Sequence, residues 1–324
     1  GCRADELKDK PMLGQVTNET DPDAAQVGAA RLVDVVYRPV VRIHADLSGG
    51  ADVAGAVPLK ANQGLSYQGM NLVGKGFRLT RQEVRDLGYD PDNLPPVIRP
   101  YMIARELTQD SLDRFVVDLF GLQADEVRLQ FPNLFQWLFE RVKPERDNNK
   151  RESYRLKWWM FGEPRSKLRA AWAGLSRYII TPETAKHRFF VFAPMTLLPD
   201  HKLYAICIDD AYVLGLLSSS WHQTWALAAG GTLEDRPTWT NTTCFDPFPF
   251  PDATEPQKEC IRNLAELLDA HRKKVQAEHP DVTLTDMYNA LERTREAGTG
   301  GTPLDSNERA FHDRALIGLL LSIH

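Results

Sequence analysis

The segment from Gly230 to Pro251, GGTLEDRPTWTNTTCFDPFPFP, constrains this chain more than any other. Proline at 247, 249 and 251 stops any helix and leaves few backbone donors for a sheet. The Pro/Phe run therefore reads as an extended strut that ends one domain. Just before it, in a long polar loop, lies one isolated acid–base cluster, Glu234-Asp235-Arg236. Loops with charged tips on a rigid base are where recognition usually sits. The plainer alternative is an interdomain linker that carries a surface ion pair.

A chain of 324 residues has room for one core of about 200 residues and a smaller unit. Hydrophobic residues at 43% and charged residues at 26% describe an ordinary globular protein rather than a disordered or fibrous one. The net charge of −5 excludes a polybasic coat that binds nucleic acid without regard to sequence, yet leaves room for a local basic face. Cys2, Cys207, Cys244 and Cys260 are far apart and show no paired metal spacing. That pattern suits a reducing cytoplasm with unpaired, mostly buried thiols. No apolar run approaches the ~20 residues of a membrane span, and no signal peptide is visible. The chain opens at Gly1-Cys2 without an initiator Met and closes inside an amphipathic run at Leu319–His324, which reads as a fragment.

Residues 1–30 are polar and rich in Asp, Gly and Ala, and read as a loose tail or a severed connection. Arg31 to His44 is β-branched and broken by Pro39, which predicts two short strands. Leu65–Leu79 has the pattern of a hairpin with Gly74 and Gly76 in the turn. Thr80 caps a short helix over Arg81–Leu87, and the Pro-rich stretch from Asp90 to Pro100 reads as loop. Phe131, Leu134, Phe135, Leu138, Phe139 and Val142 recur at helical spacing, as do Leu168, Ala171, Trp172 and Leu175. Arg188–Ala193 and Leu203–Ile208 read as strands. Asp209 or Asp210 caps one long helix that stops at Gly230-Gly231.

After Pro251 the pattern is helical. Helices are predicted over Gln257–Ala277, from a Thr285 cap to near Gly298, and over Ser306–Ile323. The whole is α+β: a mixed, twisted sheet over residues 31–252, then a small all-α domain over residues 253–324.

Several catalytic patterns fail on inspection. Asn93-Leu94-Pro95-Pro96 approaches the Asn-Pro-Pro-aromatic loop of amino-methyltransferases, but Leu94 is inserted and the aromatic is missing. Gly74-Lys75-Gly76 is a lone Gly-x-Gly, with no acidic residue after a second strand to hold a ribose. His187, His201 and His222 have no ligand spacing, so no metal site is assigned. No Ser or Cys nucleophile sits in an elbow. No catalytic residue is assigned to this chain.

The basic segment is Arg141–Tyr178. It carries eleven Lys/Arg against four acids in a chain that is acidic overall, and interleaves Tyr154, Trp158, Trp159, Phe161, Trp172 and Tyr178. Basic groups beside aromatics suit phosphate contacts and base stacking. The same composition also fits a solvated helical face with its aromatics in the core. The Glu234/Arg236 pair is open in a similar way. Arg bonds guanine O6 and N7 together, Glu accepts from the cytosine amine, and two residues two apart on an extended loop point the same way. The two side chains can equally bond each other on the surface.

Three long runs carry a resemblance: LKANQGLSYQGMNLVGKGFRLT from Leu59, VKPERDNNKRESYRLKWWMFGEPRSKLRAAWAGLSRYI from Val142, and LGLLSSSWHQTWALAAGGTLEDRPTWTNTTCFDPFPFP from Leu214. Together they resemble the C-terminal part of the MmeI-like family (type IIL/IIG). These are large bacterial proteins that fuse an N6-adenine DNA methyltransferase, often with a nuclease, to a target recognition domain. The resemblance covers roughly residues 30–324, and the part after Pro251 resembles the family's helical C-terminal domain.

The resemblance implies a cytoplasmic recognition fragment of a DNA-modifying enzyme. Its partners would be double-stranded DNA and the N-terminal methyltransferase domain of the parent protein, with S-adenosylmethionine bound by that absent domain. It implies base reading by Glu234 and Arg236, flanked by Thr238, Trp239 and Thr240. It also implies that Lys143, Arg146, Arg151, Arg155, Lys157, Arg165 and Arg169 contact phosphates or the catalytic domain. The competing reading is a protein-docking module whose basic-aromatic segment binds a catalytic subunit, with only incidental DNA contact. Salt separates the two, because a DNA face loses affinity steeply as salt rises and an apolar docking face does not.

Overall fold

The computed structural model describes residues 12–19, 33–40, 53, 55–109, 113–233 and 236–324. The chain divides into two compact units, Gly1–Val57 and Pro58–His324. In the first, strand β1 (Met12–Glu19) pairs antiparallel with β2 (Val33–Pro39), with Met12 opposite Pro39 and Glu19 opposite Val33. The expected loose tail over residues 1–30 is therefore corrected at Met12–Glu19. That stretch is largely polar and lacks the alternation that marks a strand locally, so only its partner reveals it. Of the two short strands expected over Arg31–His44, the first is β2, which ends at Pro39; the second falls on residues 41–44, which lie outside the described residues.

Among the described residues the second unit holds ten further strands. They are β3 (Ser66–Gln68), β4 (Arg78–Thr80), β5 (Ile98–Met102), β6 (Arg114–Val117) and β7 (Arg177–Pro182). The rest are β8 (Val191–Pro194), β9 (Leu198–Pro199), β10 (Leu203–Ile206), β11 (Thr232–Leu233) and β12 (Arg236–Pro237). The helices up to residue 171 are α1 (Arg81–Asp86), α2 (Ala104–Thr108), α3 (Ala124–Gln130), α4 (Pro132–Arg141), α5 (Lys143–Asp147), α6 (Glu152–Leu156) and α7 (Ser166–Ala171). Six more follow: α8 (Ala211–Ser218), α9 (Ser220–Ala229), α10 (Glu255–Glu278), α11 (Leu284–Gly298), α12 (Ser306–Arg314) and α13 (Ile317–Ile323).

One sheet has the order β3-β10-β7-β8 and is antiparallel throughout. The other has the order β4-β6-β5-β9, in which β9 joins parallel to β5. The fold is thus α+β with a mixed sheet, as the sequence predicted.

The first sheet is buried on both faces, and side-chain alternation divides it between two cores. Tyr178 and Ile180 of β7, with Leu203 and Ala205 of β10, face a core shared with Phe77, Leu79 and Val116. Ile179, Tyr204 and Ile206 face a second core that contains Phe190, Leu214, Trp239 and Phe245. The C-terminal helices supply Leu268, Met287, Leu291, Ile317 and Leu320 to the first of these. No helix among the described residues is long and apolar enough to cross a membrane.

Local structure departs from the sequence reading at five further places. Leu65–Leu79 is not a hairpin: β3 and β4 lie in different sheets, and Gly74 is extended. Gly76 is small for packing, since a Cβ there would meet the Arg141 backbone at 2.9 Å. The long helix after Asp210 breaks at Ser219, whose side chain caps α9 by accepting from His222 N–H. The α11 cap is Thr283, which forms a capping box with Asp286, and not Thr285. The helix over Ser306–Ile323 breaks at Leu316, which adopts a left-handed conformation with φ 49°. Strand β5 runs through Pro100 in the stretch predicted as loop. Strand β9 begins pairing only at Tyr101, so on that side the missing Pro100 N–H leaves no ladder bond unmade.

Candidate nucleic-acid interface

Strands β11 and β12 form a short hairpin, with Thr232 opposite Pro237 and Leu233 opposite Arg236. Glu234 and Asp235, which join the two strands in sequence, lie outside the described residues. Arg236 is exposed at the first described position after them. Thr232 and Leu233 are exposed as well, so the hairpin presents itself to solvent.

The base of the hairpin is fixed by several bonds. Thr238 N–H donates to Gly231 O at 2.8 Å, and Trp239 N–H donates to Glu183 O at 2.7 Å. Thr184 and Thr238 form an antiparallel bridge. Gly230 lets the hairpin fold back over the end of α9: a Cβ there would sit 2.4 Å from Thr238 O and 2.7 Å from Ala226 O.

The Arg188 guanidinium gathers the surrounding carbonyls. It donates to Pro182 O, to Pro237 O at 3.2 Å and to Thr181 Oγ1 at 3.1 Å. Burial pushes this guanidinium down to about 10, still charged at neutral pH. The sequence reading missed Arg188, because nothing about an arginine flanked by His187 and Phe189 announces that it closes a loop 49 residues away.

Trp239 lies beneath the hairpin, fully buried. Its indole Nε1 donates to His222 Nε2 at 3.2 Å, and its ring meets Phe190, Tyr204 and Phe245 edge-on. This corrects its expected place on the reading surface, since an enclosed ring supports the hairpin from below and cannot touch a base. Thr238 and Thr240 are half-buried. The Thr240 hydroxyl accepts from Thr243 N–H and caps the turn over Asn241–Phe245. The Pro/Phe strut is likewise part of the core, with Phe245 and Phe248 fully buried.

The basic segment is less available to a polyanion than its charge count implies. Arg146 is fully buried and donates to Leu72 O and Met160 O, both at 2.9 Å. Arg165 donates to Gly69 O at 3.0 Å and pairs with Glu163 at 2.8 Å. Arg169 grips Asp118 with two bonds of 2.8 and 2.9 Å. Buried Arg146 is thereby corrected as a contact for phosphates or a catalytic domain, while Arg165 and Arg169 are half-buried and bonded within the chain. The others lie nearer solvent. Lys157 and Arg151 are exposed, and Arg151 bonds the Tyr154 hydroxyl at 2.6 Å. Lys143 pairs with Asp147 at 2.5 Å, and half-buried Arg155 donates to Asn149 O at 2.6 Å.

Among the described residues no group of three or more His, Cys, Asp or Glu is arranged to hold a metal ion. Nor does Gly74-Lys75-Gly76 fit a cofactor cradle, because its second glycine is packed against Arg141 of α4.

Two sheets thus carry an exposed hairpin that rests on a buried aromatic base. Residues 56–252 match the family model described as the MmeI target recognition domain, and the chain belongs to that family. It is similar to DNA methyltransferase A of Bacillus subtilis (strain 168), at 28% identity over 144 residues. That match covers 42% of this chain and 16% of the relative. Its fold is similar to that of the type IIL restriction-modification enzyme MmeI solved in complex with DNA, with a TM-score of 0.62 at 18% identity. The likeness spans 90% of this chain and 39% of the MmeI chain, so the chain corresponds to well under half of either protein.

Proposed function

We propose that this chain is the sequence-reading module of a bacterial adenine-specific DNA methyltransferase of the restriction-modification type. In this reading it binds duplex DNA, and the hairpin over residues 232–237 enters the major groove. Arg236 reads guanine through O6 and N7, and Glu234 accepts from a cytosine amine. The exposed cations Arg151 and Lys157, with Lys143 and Arg155 beside them, set the register on phosphates. The observation that carries the reading is the hairpin itself: a strand pair that exposes Arg236 and is held from below by buried Trp239 and by Arg188. A base-reading element needs such a rigid support, because a loose tip loses discrimination to conformational entropy.

Transfer of the methyl group from S-adenosylmethionine belongs, in this proposal, to a methyltransferase domain of the parent protein. A nuclease in the same parent is a further part of the proposal, and the similarity to a relative named DNA methyltransferase A supports the methyltransferase assignment.

The test is selection from a randomised duplex library on the purified chain at two salt concentrations. An enriched motif containing a G·C pair, with affinity that falls as salt rises, is the expected outcome. Binding at neither salt would overturn the reading in favour of a protein-docking module.

A further inference from the structure

The segment Glu183–Arg188 touches the hairpin with one side and a C-terminal helix with the other. On the hairpin side, Glu183 O accepts from Trp239 N–H and Arg188 reaches Pro237 O. On the other side, Lys186 Nζ donates to Asn289 Oδ1 of α11 at 2.6 Å. His187 Nε2 lies 2.8 Å from the same oxygen, and His187 Nδ1 lies 3.2 Å from Glu292 Oε1. An ammonium has no acceptor, so Lys186 fixes which end of the Asn289 amide faces the segment. His187 Nε2 must then donate to that oxygen as well. His187 is itself buried. One carboxamide oxygen on α11 thus holds two consecutive side chains of a segment whose backbone closes the hairpin.

We infer that Glu183–Arg188 is a strap through which α11 sets the position of the recognition hairpin, making Asn289 a specificity-positioning residue that touches no base. The inference rests on the DNA-reading role proposed above for the hairpin. A second connection runs in parallel: Arg272 of α10 donates to Phe190 O at 2.7 Å, and the Phe190 ring packs on Trp239 at 5.7 Å. Both connections cross from the C-terminal helices to the support beneath Arg236, and both involve well-buried groups in this part of the fold.

The acceptor oxygen is the critical atom, and two substitutions isolate it. Asn289→Leu removes it, whereas Asn289→Asp keeps it for Lys186 and His187. Hydrogen exchange without DNA reads the mechanical link. In Asn289→Leu the Thr238 and Trp239 amides should exchange about fivefold faster or more, while amides of the β4-β6-β5-β9 sheet keep their wild-type rates. Asn289→Asp should restore the slow rates. Unchanged exchange at Thr238 and Trp239 in Asn289→Leu overturns the strap whatever DNA does.

Selection on randomised duplexes then reads specificity. Asn289→Leu should lose about tenfold in preference at the hairpin's base pair, with unaltered affinity for unrelated duplexes. A wild-type motif that survives intact in Asn289→Leu overturns the positioning role. A wild-type chain that selects no motif counts against the DNA-reading role instead, and the exchange rates still decide the strap.

Discussion

Trp239 Nε1 donates to His222 Nε2 across 3.2 Å, in a part of the core where both residues are fully buried. The bond requires a neutral imidazole with a lone pair on Nε2. The Phe248 ring lies 4.5 Å from the imidazole, nearly perpendicular to it. Burial, with nearby Arg188 adding to it, pushes the His222 imidazole down to about 3. The support of the hairpin therefore depends on a histidine that must not take up a proton.

Stability should consequently fall on mild acidification. His222 binds a proton near pH 6.5 in the unfolded chain and only near pH 3 in the folded one. Between those values the unfolded state holds the extra proton, so stability drops as pH falls, by up to about 1.4 kcal/mol per pH unit for one such group. Burial holds His324 near 4, and it acts in the same direction. Urea midpoints at pH 7.5, 6.0 and 5.0 should decline in the wild type and decline less in His222→Gln, which removes the titrating ring. Parallel declines in the two proteins would show that His222 is not the source.

Gly230 and Gly231 stand side by side in sequence but face different constraints. The Gly230 backbone is ordinary, with φ −78° and ψ 175°, so any cost of a side chain there is steric. A Cβ would press on two carbonyl oxygens at 2.4 and 2.7 Å, whereas at Gly231 its nearest neighbour is Thr238 Oγ1 at 3.3 Å. Gly230→Ala should cost about 1–3 kcal/mol and Gly231→Ala distinctly less. Thermal denaturation of both variants checks the order, and a Gly231→Ala that is the worse of the two would contradict the packing described here.

Much of the scaffold was legible because its signals are local. Helical spacing located α4 and α10, and Thr80 announced the start of α1, which it caps with Glu83. The breaks at Ser219 and Leu316 were not legible, since both lie in runs whose apolar spacing continues through the break. Site residues were harder for a related reason. The resemblance puts Trp239 beside the reading residues. That Trp239 instead fills a core depends on Phe190, just before β8, and Tyr204 of β10, both distant in sequence. A run of arginines likewise reads as a polyanion surface, until the carbonyls of Leu72 and Met160 turn out to occupy Arg146. Composition counts charges but says nothing of where their acceptors lie.

The arginines of the basic segment should accordingly separate into two classes. Arg146→Ala leaves two carbonyls without their donor in the core and should cost more than about 2 kcal/mol of stability. Arg151→Ala and Lys157→Ala should leave the melting temperature nearly unchanged. If these two touch phosphates, each removal shallows the dependence of log affinity on log salt by about 0.9. Affinity titrations at four salt concentrations measure that slope. An unchanged slope in the Arg151/Lys157 double variant would move the phosphate contacts elsewhere on the surface.

Arg236 should behave differently from all of these. It stands on β12 opposite Leu233, directly after Asp235 in sequence and outside the buried support. Its loss should therefore not disturb Trp239 or Arg188. A bidentate contact to guanine carries about 1–3 kcal/mol of discrimination and little of the counterion release. Arg236→Ala should relax the preference at one base pair by roughly ten- to a hundredfold, with the melting temperature and the salt slope both near wild type. Arg236→Lys should recover only part of the preference, because an ammonium cannot present the planar fork that meets O6 and N7 together. Selected-duplex sequencing of the three proteins side by side gives the answer. An Arg236→Ala variant that selects the same motif as the wild type would remove Arg236 from the reading surface.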